Sequence, residues 1–352
     1  MHLRIAFPFG ALGCVFLLAP FAAAQDSRPS RIAQEIAAQQ LVSISIAWIE
    51  DGQVTRTESF GFEDREQKIP ASGKTMYRWA SISKPVTAIV GMQLVEQEKL
   101  DLDRDVCEYV PEFPRKAWPI TCRQLLSHQG GIVHYTNGKV IPRERKYEQK
   151  HPWADPVLAL DAFADSPLIC EPGTKHSYTT HGYMLLGAVV QRAGGKGFWE
   201  QVQERVAKPL QMSSFQPDYP WVAIPHRAVG YRKANGKEPA RSGDTDVSWK
   251  LPGGGFISTI GDLGRFGAGL LRGELVTVRT RELMWTRATT RDGKVTGYGL
   301  GFGVREGEVS HSGGQEKTST LLVLQPGKKR GIALMSNSEG SNLSALAHDL
   351  LR

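Results

Sequence analysis

The sequence predicts an α/β fold in which one antiparallel sheet is built from both ends of the chain and a mainly helical domain is inserted between them. Strand patterns bounded by turns occupy residues 31–80 and 295–352, whereas residues 94–290 show helical periodicity with irregular links. This order of elements brings both chain ends into one sheet. The chain has 352 residues, of which 41% are hydrophobic, so it is long enough to bury a large core.

The N-terminal pattern is that of a secretory signal. Residues 1–24 combine a positive Arg4, an apolar run over residues 5–21 and the small-residue site Ala22-Ala23-Ala24. A retained membrane anchor is the alternative, because the run is nearly long enough to span a bilayer. Two prolines in the run favour cleavage. We therefore expect a periplasmic or secreted domain over residues 25–352, with no stable membrane span after cleavage.

The charge pattern indicates a solvated surface. The net charge is +7, but the densest basic stretch, residues 139–150, also carries Glu144 and Glu148. No basic stripe interleaved with aromatic residues is present, so we expect no nucleic-acid partner.

Three cysteines remain after the signal: Cys107, Cys122 and Cys170. An exported chain permits a Cys107–Cys122 disulfide, but three mostly buried thiols are the favoured interpretation. No cysteine or histidine spacing typical of a metal site is present, and no metal or organic cofactor is implied.

The N-terminal elements follow from periodicity. Residues 31–40 show helical spacing, and residues 41–49 then alternate between apolar and small polar side chains, which indicates a half-buried strand. Asp51-Gly52 is a hairpin turn signal, so residues 54–60 are expected to return as a second strand.

In the middle of the chain, helices are predicted at residues 121–127, 183–193, 198–206 and 258–271. Gly194-Gly195 marks a helix end, because glycine readily adopts the left-handed conformation found there. Irregular structure is expected elsewhere, with exposed loops at residues 132–152 and 217–250 and a sharp turn at residues 252–255.

The C-terminal part returns to short strand patterns, at residues 298–305, 307–311, 318–325 and 330–337. Residues 326–329, Pro-Gly-Lys-Lys, join the last two as a hairpin. Residues 343–351 are expected to close the chain as a helix.

Ser81 and Lys84 form the chain's single Ser-x-x-Lys pattern, at the start of its most apolar helical stretch. Residues at i and i+3 share a helix face, so the hydroxyl and the amine should be neighbours. The positive end of the helix dipole would also favour negative charge developing there. This arrangement suits covalent catalysis. A serine N-cap followed by a surface lysine is the structural alternative.

Lys84 can act as a base only as a neutral amine. From its ordinary pKa, the neutral form lies about 4.6 kcal/mol uphill at pH 7. Burial or a neighbouring cation must therefore lower the pKa of Lys84, or another base must act. A buried tyrosine phenol near the lysine can share the proton.

Ordered segments resemble the superfamily of class C β-lactamases, DD-peptidases and related serine esterases, over about residues 31–350. They are Ser81-Ile-Ser-Lys84, Leu100-Asp-Leu-Asp103, Leu125-Leu-Ser-His128, Glu171-Pro-Gly173, Tyr178-Thr-Thr180, Gly182-Tyr-Met-Leu-Leu-Gly187, Pro209-Leu-Gln-Met212, Gly253-Gly-Gly-Phe-Ile-Ser-Thr259, Tyr298-Gly-Leu-Gly301 and His311-Ser-Gly-Gly314. The chain most resembles the mitochondrial serine β-lactamase-like proteins of animals and their bacterial relatives. Arg78-Trp79, Tyr109-Val-Pro-Glu-Phe-Pro114 and Gly131-Ile-Val-His-Tyr135 carry that narrower resemblance. It implies a β-lactamase/transpeptidase-like fold.

The resemblance also implies catalytic roles. Ser81 would be the acylated nucleophile, and Lys84 would take its proton or hold the charge balance that lets Tyr178 do so. Tyr178 would relay a proton to the leaving group. The backbone N–H groups of Ser81 and Gly314 would form the oxyanion hole. Tyr135-Thr-Asn137 is a literal Tyr-x-Asn, but the segments flanking Tyr178 fit the family pattern better.

The strand motif His311-Ser312-Gly313 stands where the lactamases have Lys-Thr-Gly, and its small residues leave room for a substrate along the strand. His311 would replace a fixed cation by one that titrates near pH 6.5, so we expect acidic substrates to bind more weakly as the pH rises from 6 to 8. Thr180 stands where the family usually has an Asn. The amide that would hydrogen-bond with a substrate carbonyl is therefore absent. Both departures weaken the case for efficient β-lactam hydrolysis.

The function expected from the sequence is an exported serine hydrolase that acts through an acyl-enzyme on a peptide or ester bond of a small-molecule or peptide substrate. A true β-lactamase or DD-carboxypeptidase is one alternative. A non-catalytic module that binds cell-wall peptides is another, although the intact set of Ser81, Lys84 and Tyr178 argues against it. His128, His176 and His181 are interpreted as structural.

Overall fold

The computed structural model describes His2 and residues 28–234 and 237–352. The expected signal sequence, residues 1–24, therefore lies outside the described residues apart from His2. Among the helices that are described, none combines the length and the apolar character needed to cross a bilayer.

The strands of the described residues, in chain order, are β1 (Ser43–Glu50), β2 (Gln53–Asp64), β3 (Ile69–Pro70), β4 (Tyr77–Arg78), β5 (Gln216–Pro217), β6 (Tyr231–Ala234), β7 (Lys237–Arg241), β8 (Phe256–Ser258), β9 (Gly303–Arg305), β10 (Glu308–Gln315), β11 (Thr318–Gln325) and β12 (Arg330–Ser336). The main sheet has the order β3-β2-β1-β12-β11-β10-β9, with antiparallel neighbours. Its centre pairs the two ends of the chain, with Ala47 opposite Ala333. The sequence-based fold class is thus confirmed.

The helices of the described residues are α1 (Arg28–Gln39), α2 (Ser83–Glu96), α3 (Cys122–Leu126), α4 (Pro156–Ala159), α5 (Thr180–Gly194), α6 (Phe198–Val202), α7 (Leu251–Gly254), α8 (Ile260–Arg272), α9 (Val278–Met284) and α10 (Ser344–Leu350). Helices α1 and α10 cover one face of the main sheet, where Ile44, Ile46 and Trp48 of β1 point. Helix α8 covers the other face, where Ala47 and Ile49 point.

Strand β1 is buried on both faces, so the half-buried strand expected from its alternation is wrong. The reason is that helices cover both faces of the sheet at this strand. Its polar side chains are paired, as buried hydroxyls must be: Ser43 and Ser45 lie 3.0 Å and 3.1 Å from the Tyr77 hydroxyl. Alternation of small polar and apolar residues therefore does not mark a solvent face here.

Three local predictions are wrong. Of residues 298–305 only Gly303–Arg305 forms a strand, because Gly301 turns the chain at φ +93°. Residues 252–255 are not a simple turn, since Leu251–Gly254 forms one helical turn with Pro252 near its start. The stretch 217–250 is not wholly irregular, because β6 and β7 pair within it.

The cysteines are free thiols: Cys122 is buried, and Cys107 and Cys170 are half-buried. The Cys107–Cys122 disulfide that an exported chain would permit is therefore not formed. Burial raises the pKa of the Cys122 thiol to about 12, so this sulfur packs as a small apolar group.

Helix α2 lies at the centre of the helical part and is buried on nearly all sides, as expected of a helix that is apolar all round. Helices α5 and α7 pack against it. They approach each other closely, because a Cβ on Gly187 of α5 would lie 2.2 Å from Cγ of Pro252 in α7. A residue without a side chain is therefore required at this crossing.

The Gly187→Ala variant should lose about 1–3 kcal/mol of unfolding free energy, the usual range for overpacking a core. Gly91→Ala is the matched control, because a Cβ at this other buried helix position meets only Cγ2 of Val190, at 3.6 Å. The control should be neutral or gain up to about 1 kcal/mol of helix propensity. Urea unfolding measures both, and equal stabilities would contradict the close contact between α5 and α7.

Candidate active site

Ser81 lies in a 3₁₀ turn, Ala80–Ile82, that leads directly into α2. Trp79 anchors this turn: its ring is fully buried, and its Nε1 donates to the Ser258 hydroxyl at 2.7 Å. Ala80 adopts φ +48°, a left-handed conformation that costs a non-glycine residue about 1–2 kcal/mol. The Ser81 hydroxyl is thus presented at a helix start, where backbone N–H groups have no intrahelical acceptor.

Lys84 is fully buried beneath Ser81. Its Nζ lies 3.0 Å from Oγ of Ser81, 3.2 Å from Oγ1 of Thr180 and 2.8 Å from the carbonyl oxygen of Gly253. A neutral amine has two hydrogens and one lone pair. The Gly253 carbonyl and Thr180 can accept the hydrogens, which leaves the lone pair for the Ser81 hydroxyl proton.

Burial lowers the pKa of Lys84 well below its ordinary value, and the charge of Lys250 lowers it further. None of the hydrogen bonds that the described residues make to Lys84 comes from a carboxylate. A buried ammonium without an anionic partner is costly, so the group gives up its proton instead. The Ser-x-x-Lys pattern therefore forms a buried hydroxyl–amine pair, and not a serine cap with a surface lysine.

Tyr178 lies beside this pair. Burial raises the pKa of its phenol above the ordinary value, and the nearby Ser81 side chain partly offsets this rise. The Lys84 Nζ lies 4.9 Å from the centre of the Tyr178 ring. Tyr135, by contrast, is 55% exposed and packs its ring on His134 at 3.7 Å. The structure therefore brings Tyr178 to Ser81 and leaves Tyr135 at the surface.

Strand β10 runs next to the Ser81 turn, and its side chains alternate between two faces. A Cβ on Gly313 would lie 2.5 Å from the Trp79 carbonyl and 3.0 Å from Cβ of Ala80, so glycine is required for this contact. A Cβ on Gly314 would meet nothing within 4 Å. Ser312 points to the other face, into a cavity of about 520 Å³ that it shares with Asn342 and Ser344. Strand β9 pairs only with residues 308–310.

His311 is not the cation expected from the sequence. Burial lowers its pKa to about 3, with a contribution from Lys84, so the imidazole is neutral at pH 7. Its Nδ1 lies 2.7 Å from the Ser312 carbonyl, which can only accept, so Nδ1 carries the proton. Its Nε2 then accepts from the Tyr298 hydroxyl at 2.9 Å. The weaker binding of acidic substrates expected from its titration between pH 6 and 8 is therefore wrong.

Thr180 contacts two other groups of the site. Its hydroxyl contacts the Lys84 amine, and its N–H donates to Nδ1 of His134 at 3.2 Å. Because Nδ1 accepts this bond, neutral His134 carries its proton on Nε2. Burial lowers the pKa of His134 to about 4, so the neutral form is present at pH 7.

Several groups at the site were not assigned to it from the sequence: the Gly253 carbonyl, His134, Tyr298 and Lys250. The first two lie in segments that had been recognised, Gly253-Gly-Gly and Gly131-Ile-Val-His-Tyr135, but neither motif says which atom faces the lysine. Tyr298 lies in Tyr298-Gly-Leu-Gly301. Lys250 carries no local signal beyond its position just before the Gly253 segment.

His128 was interpreted as structural, and the structure places it against the site. Its ring lies 4.2 Å from that of Tyr178, centre to centre, and its Nδ1 accepts the Thr179 N–H at 3.2 Å. Burial lowers the pKa of His128 well below its ordinary value, with Lys84 as the next cause. His128 thus supports Tyr178 as a neutral ring.

Comparisons with known proteins agree with this architecture. The profile of the family described as "Beta-lactamase" matches residues 29–352. The human "Serine beta-lactamase-like protein LACTB, mitochondrial" is 28% identical, over 84% of this chain and 70% of its own. The octameric penicillin-binding protein homologue from Pyrococcus abyssi is 25% identical with a TM-score of 0.77, covering 92% of this chain and 76% of its own. A D-stereospecific amidohydrolase from Streptomyces sp. is also 25% identical, with a TM-score of 0.70 over 92% and 98% of the two chains. The family resemblance read from the motifs is confirmed.

The buried amine makes a prediction about pH and stability. Because the pKa of Lys84 is lowered in the folded state, the unfolded chain binds more protons between that lowered pKa and about 10.5. The free energy of unfolding should therefore rise with pH across this window, by up to about 1.4 kcal/mol per pH unit, and level off above it. The Lys84→Met variant lacks this term, so wild type should gain stability relative to it between pH 7 and pH 10. Urea unfolding of both proteins measures the difference, in which the other titrating groups cancel. A difference that does not change with pH would mean that folded Lys84 stays protonated.

Proposed function

The chain belongs to the beta-lactamase family, and we propose that it is a serine hydrolase that works through an acyl-enzyme on Ser81. The observation that carries this proposal is the 3.0 Å contact between the Ser81 hydroxyl and a buried lysine amine that has no carboxylate partner among the described residues. A hydroxyl needs such a base, because it barely ionises at neutral pH.

In this proposal Lys84, rather than Tyr178, removes the proton from Ser81. Burial lowers the pKa of Lys84 and raises the pKa of Tyr178, so the resting pair is a neutral amine and a neutral phenol. A neutral amine can accept a proton at once, whereas a phenol must first lose its own. When Lys84 becomes an ammonium, the Gly253 carbonyl and the face of the Tyr178 ring would stabilise the charge.

Acylation then moves one proton from Ser81 to the leaving group. Oγ of Ser81 forms a bond to the substrate carbonyl carbon, and its proton passes to Lys84. The N–H groups of Ser81 and Gly314 would hold the oxyanion, and each such donor typically lowers the barrier by about 3–4 kcal/mol. The bond to the leaving group breaks as Tyr178 gives that group its proton and is reprotonated by Lys84. Water then attacks the acyl-enzyme by the reverse sequence of proton transfers.

The geometry of β10 supports a substrate that lies along residues 311–315. This stretch extends beyond the part of β10 that is paired with β9. Ser312 and Gly313 would belong to the same substrate strand, although Gly313 also serves the contact with Ala80. An extended peptide or a flexible ester can use such an edge through its own polar groups.

The substrate class proposed is a peptide or ester rather than a β-lactam. His311 is neutral and held on both ring nitrogens, so it offers no cation to the carboxylate of a β-lactam. Thr180 holds Lys84 and offers no amide to a substrate carbonyl. The similarity to a D-stereospecific amidohydrolase is consistent with amide or ester chemistry.

We also propose that the protein is exported, to the periplasm or beyond. The support is the pattern of residues 1–24, with its positive start, apolar run and Ala22-Ala23-Ala24. N-terminal sequencing of protein recovered from its host should begin near Gln25. A chain that retains Met1 would contradict cleavage.

A fluorophosphonate probe should label wild-type protein at Ser81, because the activated hydroxyl attacks phosphorus as it would a carbonyl. Ser81→Ala should lose both the label and esterase activity, the latter by about 10³-fold or more. Ser83→Ala is the matched control, since Ser83 is a buried neighbour outside the hydroxyl–amine pair. Mass spectrometry of the labelled peptide locates the adduct. Equal labelling of wild type and Ser81→Ala would contradict the mechanism. Absence of all labelling would favour a non-catalytic binding module.

Purified protein should cleave p-nitrophenyl esters much better than nitrocefin. We expect a nitrocefin kcat/KM below about 10⁴ M⁻¹s⁻¹, at the bottom of the usual enzyme range, because a fixed cation is missing at position 311. The two substrates are compared on one preparation, with Ser81→Ala as background. A nitrocefin kcat/KM of about 10⁶ M⁻¹s⁻¹ or more would establish a true β-lactamase instead.

A further inference from the structure

One lysine at the site makes no direct polar contact within the described residues. Lys250 is 8% exposed, its ammonium makes no hydrogen bond or ion pair with any of those residues, and Nζ lies 5.7 Å from the ring centre of the neighbouring Trp249. Burial lowers the pKa of Lys250, and the charge of Glu316 acts in the opposite direction without forming an ion pair. A buried amine is normally paired, so a bound anion would give Lys250 the direct partner that the described residues do not.

Lys250 lies close to the nucleophile. A Cβ placed on Gly254 would lie 3.7 Å from Cδ of Lys250, 3.2 Å from Oε1 of Gln315 and 3.8 Å from the carbonyl oxygen of Ala80, the residue before Ser81. The lysine arm, the Gln315 amide and the Ser81 turn thus converge at one point. Lys250 also acts electrostatically on Lys84 and on His134.

Gln315 provides a second, independent sign of a missing ligand. Its Nε2 is buried and has no hydrogen-bond partner among the described residues. An amide donor left without an acceptor is unfavourable, so such groups are rare in folded proteins. An acceptor bound beside Lys250 would give this donor a partner.

The order of His311, Gly314 and Gln315 along β10 indicates which part of the substrate reaches Lys250 and Gln315. Tyr178, the proposed proton donor to the leaving group, lies near His311, with ring centres 6.5 Å apart. Gln315 stands at the other end of the strand motif, and Gly314, the proposed oxyanion donor, lies between. A substrate with its leaving group at the His311 end therefore extends its acyl group toward Gln315 and Lys250.

We propose that Lys250 and Gln315 form a subsite for a carboxylate on the acyl part of the substrate, so that the enzyme prefers esters or amides whose acyl group ends in an anion. This inference rests on the proposed function for its kinetic consequence, but the binding of the anion does not require catalysis. The substrate-binding cation is then Lys250, which lies outside the strand motif. The neutral His311 within that motif offers no cation.

The kinetic test compares the 4-nitrophenyl ester of glutaric acid, which keeps a free carboxylate, with its methyl ester, which is neutral and of similar length. Wild type should favour the acid by at least 10-fold in kcat/KM, and Lys250→Met should reduce that preference at least 10-fold. Lys250→Met also removes a charge that lowers the pKa of Lys84, which slows both substrates, but the ratio cancels this effect. Gln315→Met should reduce the preference about threefold.

Lys328→Met, at an exposed lysine far along the chain in the link between β11 and β12, is the matched control and should leave the ratio unchanged. A wild-type ratio near one would overturn the subsite. So would a ratio that survives Lys250→Met, provided that this variant still melts like wild type.

A binding measurement separates failure of the subsite from failure of the proposed hydrolase function. Glutaric acid mono-4-nitroanilide, a stable amide, is titrated calorimetrically into Ser81→Ala and into Ser81→Ala combined with Lys250→Met. The double variant should bind at least 10-fold more weakly. If that loss is seen although wild type cleaves no ester, the hydrolase proposal fails and the anion subsite stands. If esters are cleaved but binding is equal in both variants, the subsite is wrong and the hydrolase proposal stands.

Discussion

The burial of one amine without a counter-ion is the constraint on which the rest of this site depends. Lys84 is surrounded by a carbonyl, two hydroxyls and aromatic rings, none of which can neutralise a positive charge. The amine is also fully buried, so desolvation favours loss of its proton. A single carboxylate placed here would restore the ammonium and remove the base. The polar but uncharged shell is therefore as important to the proposed chemistry as the lysine.

Holding that shell together requires close packing between distant parts of the chain. Gly187 lets α5, which carries Thr180, approach α7, which carries the Gly253 carbonyl. Gly313 lets β10 lie against Trp79 and Ala80. These contacts fix the lysine and the strand relative to Ser81. The strained φ of Ala80 is maintained by the same packing, because the buried Trp79 ring leaves the turn no room to relax.

The buried histidines of the site share a lowered pKa. Burial lowers the pKa of His128, His134 and His311, and Lys84 adds to the effect at each. Burial is the main cause at all three, so the histidines are neutral at pH 7 for the same reason as Lys84. Lys250 acts on Lys84 and His134 and has no ion-pair or hydrogen-bond partner among the described residues, which is why we propose it as the binding group for substrate charge.

Much of the fold could be predicted from the sequence, because its signals are local. The Asp51-Gly52 turn, the end of α5 at Gly195 and the adjacency of Ser81 and Lys84 follow from turn chemistry, glycine conformation and helix spacing. The strand predicted at residues 318–325 has those bounds in the structure. By contrast, the solvent face expected for β1 was wrong, because helices from distant parts of the chain cover both faces of the sheet.

The sequence by itself determined the order of the elements, the sheet from both chain ends and the hydroxyl beside the amine. Only the tertiary structure decided the protonation of Lys84, because its partners Thr180 and Gly253 are 96 and 169 positions away. The same holds for the neutrality of His311, the approach of Tyr178 rather than Tyr135, and the unpaired charge of Lys250. Spacing along a chain specifies which groups are neighbours within one element. Desolvation depends on what the whole chain folds around them, and it is desolvation that sets their charge.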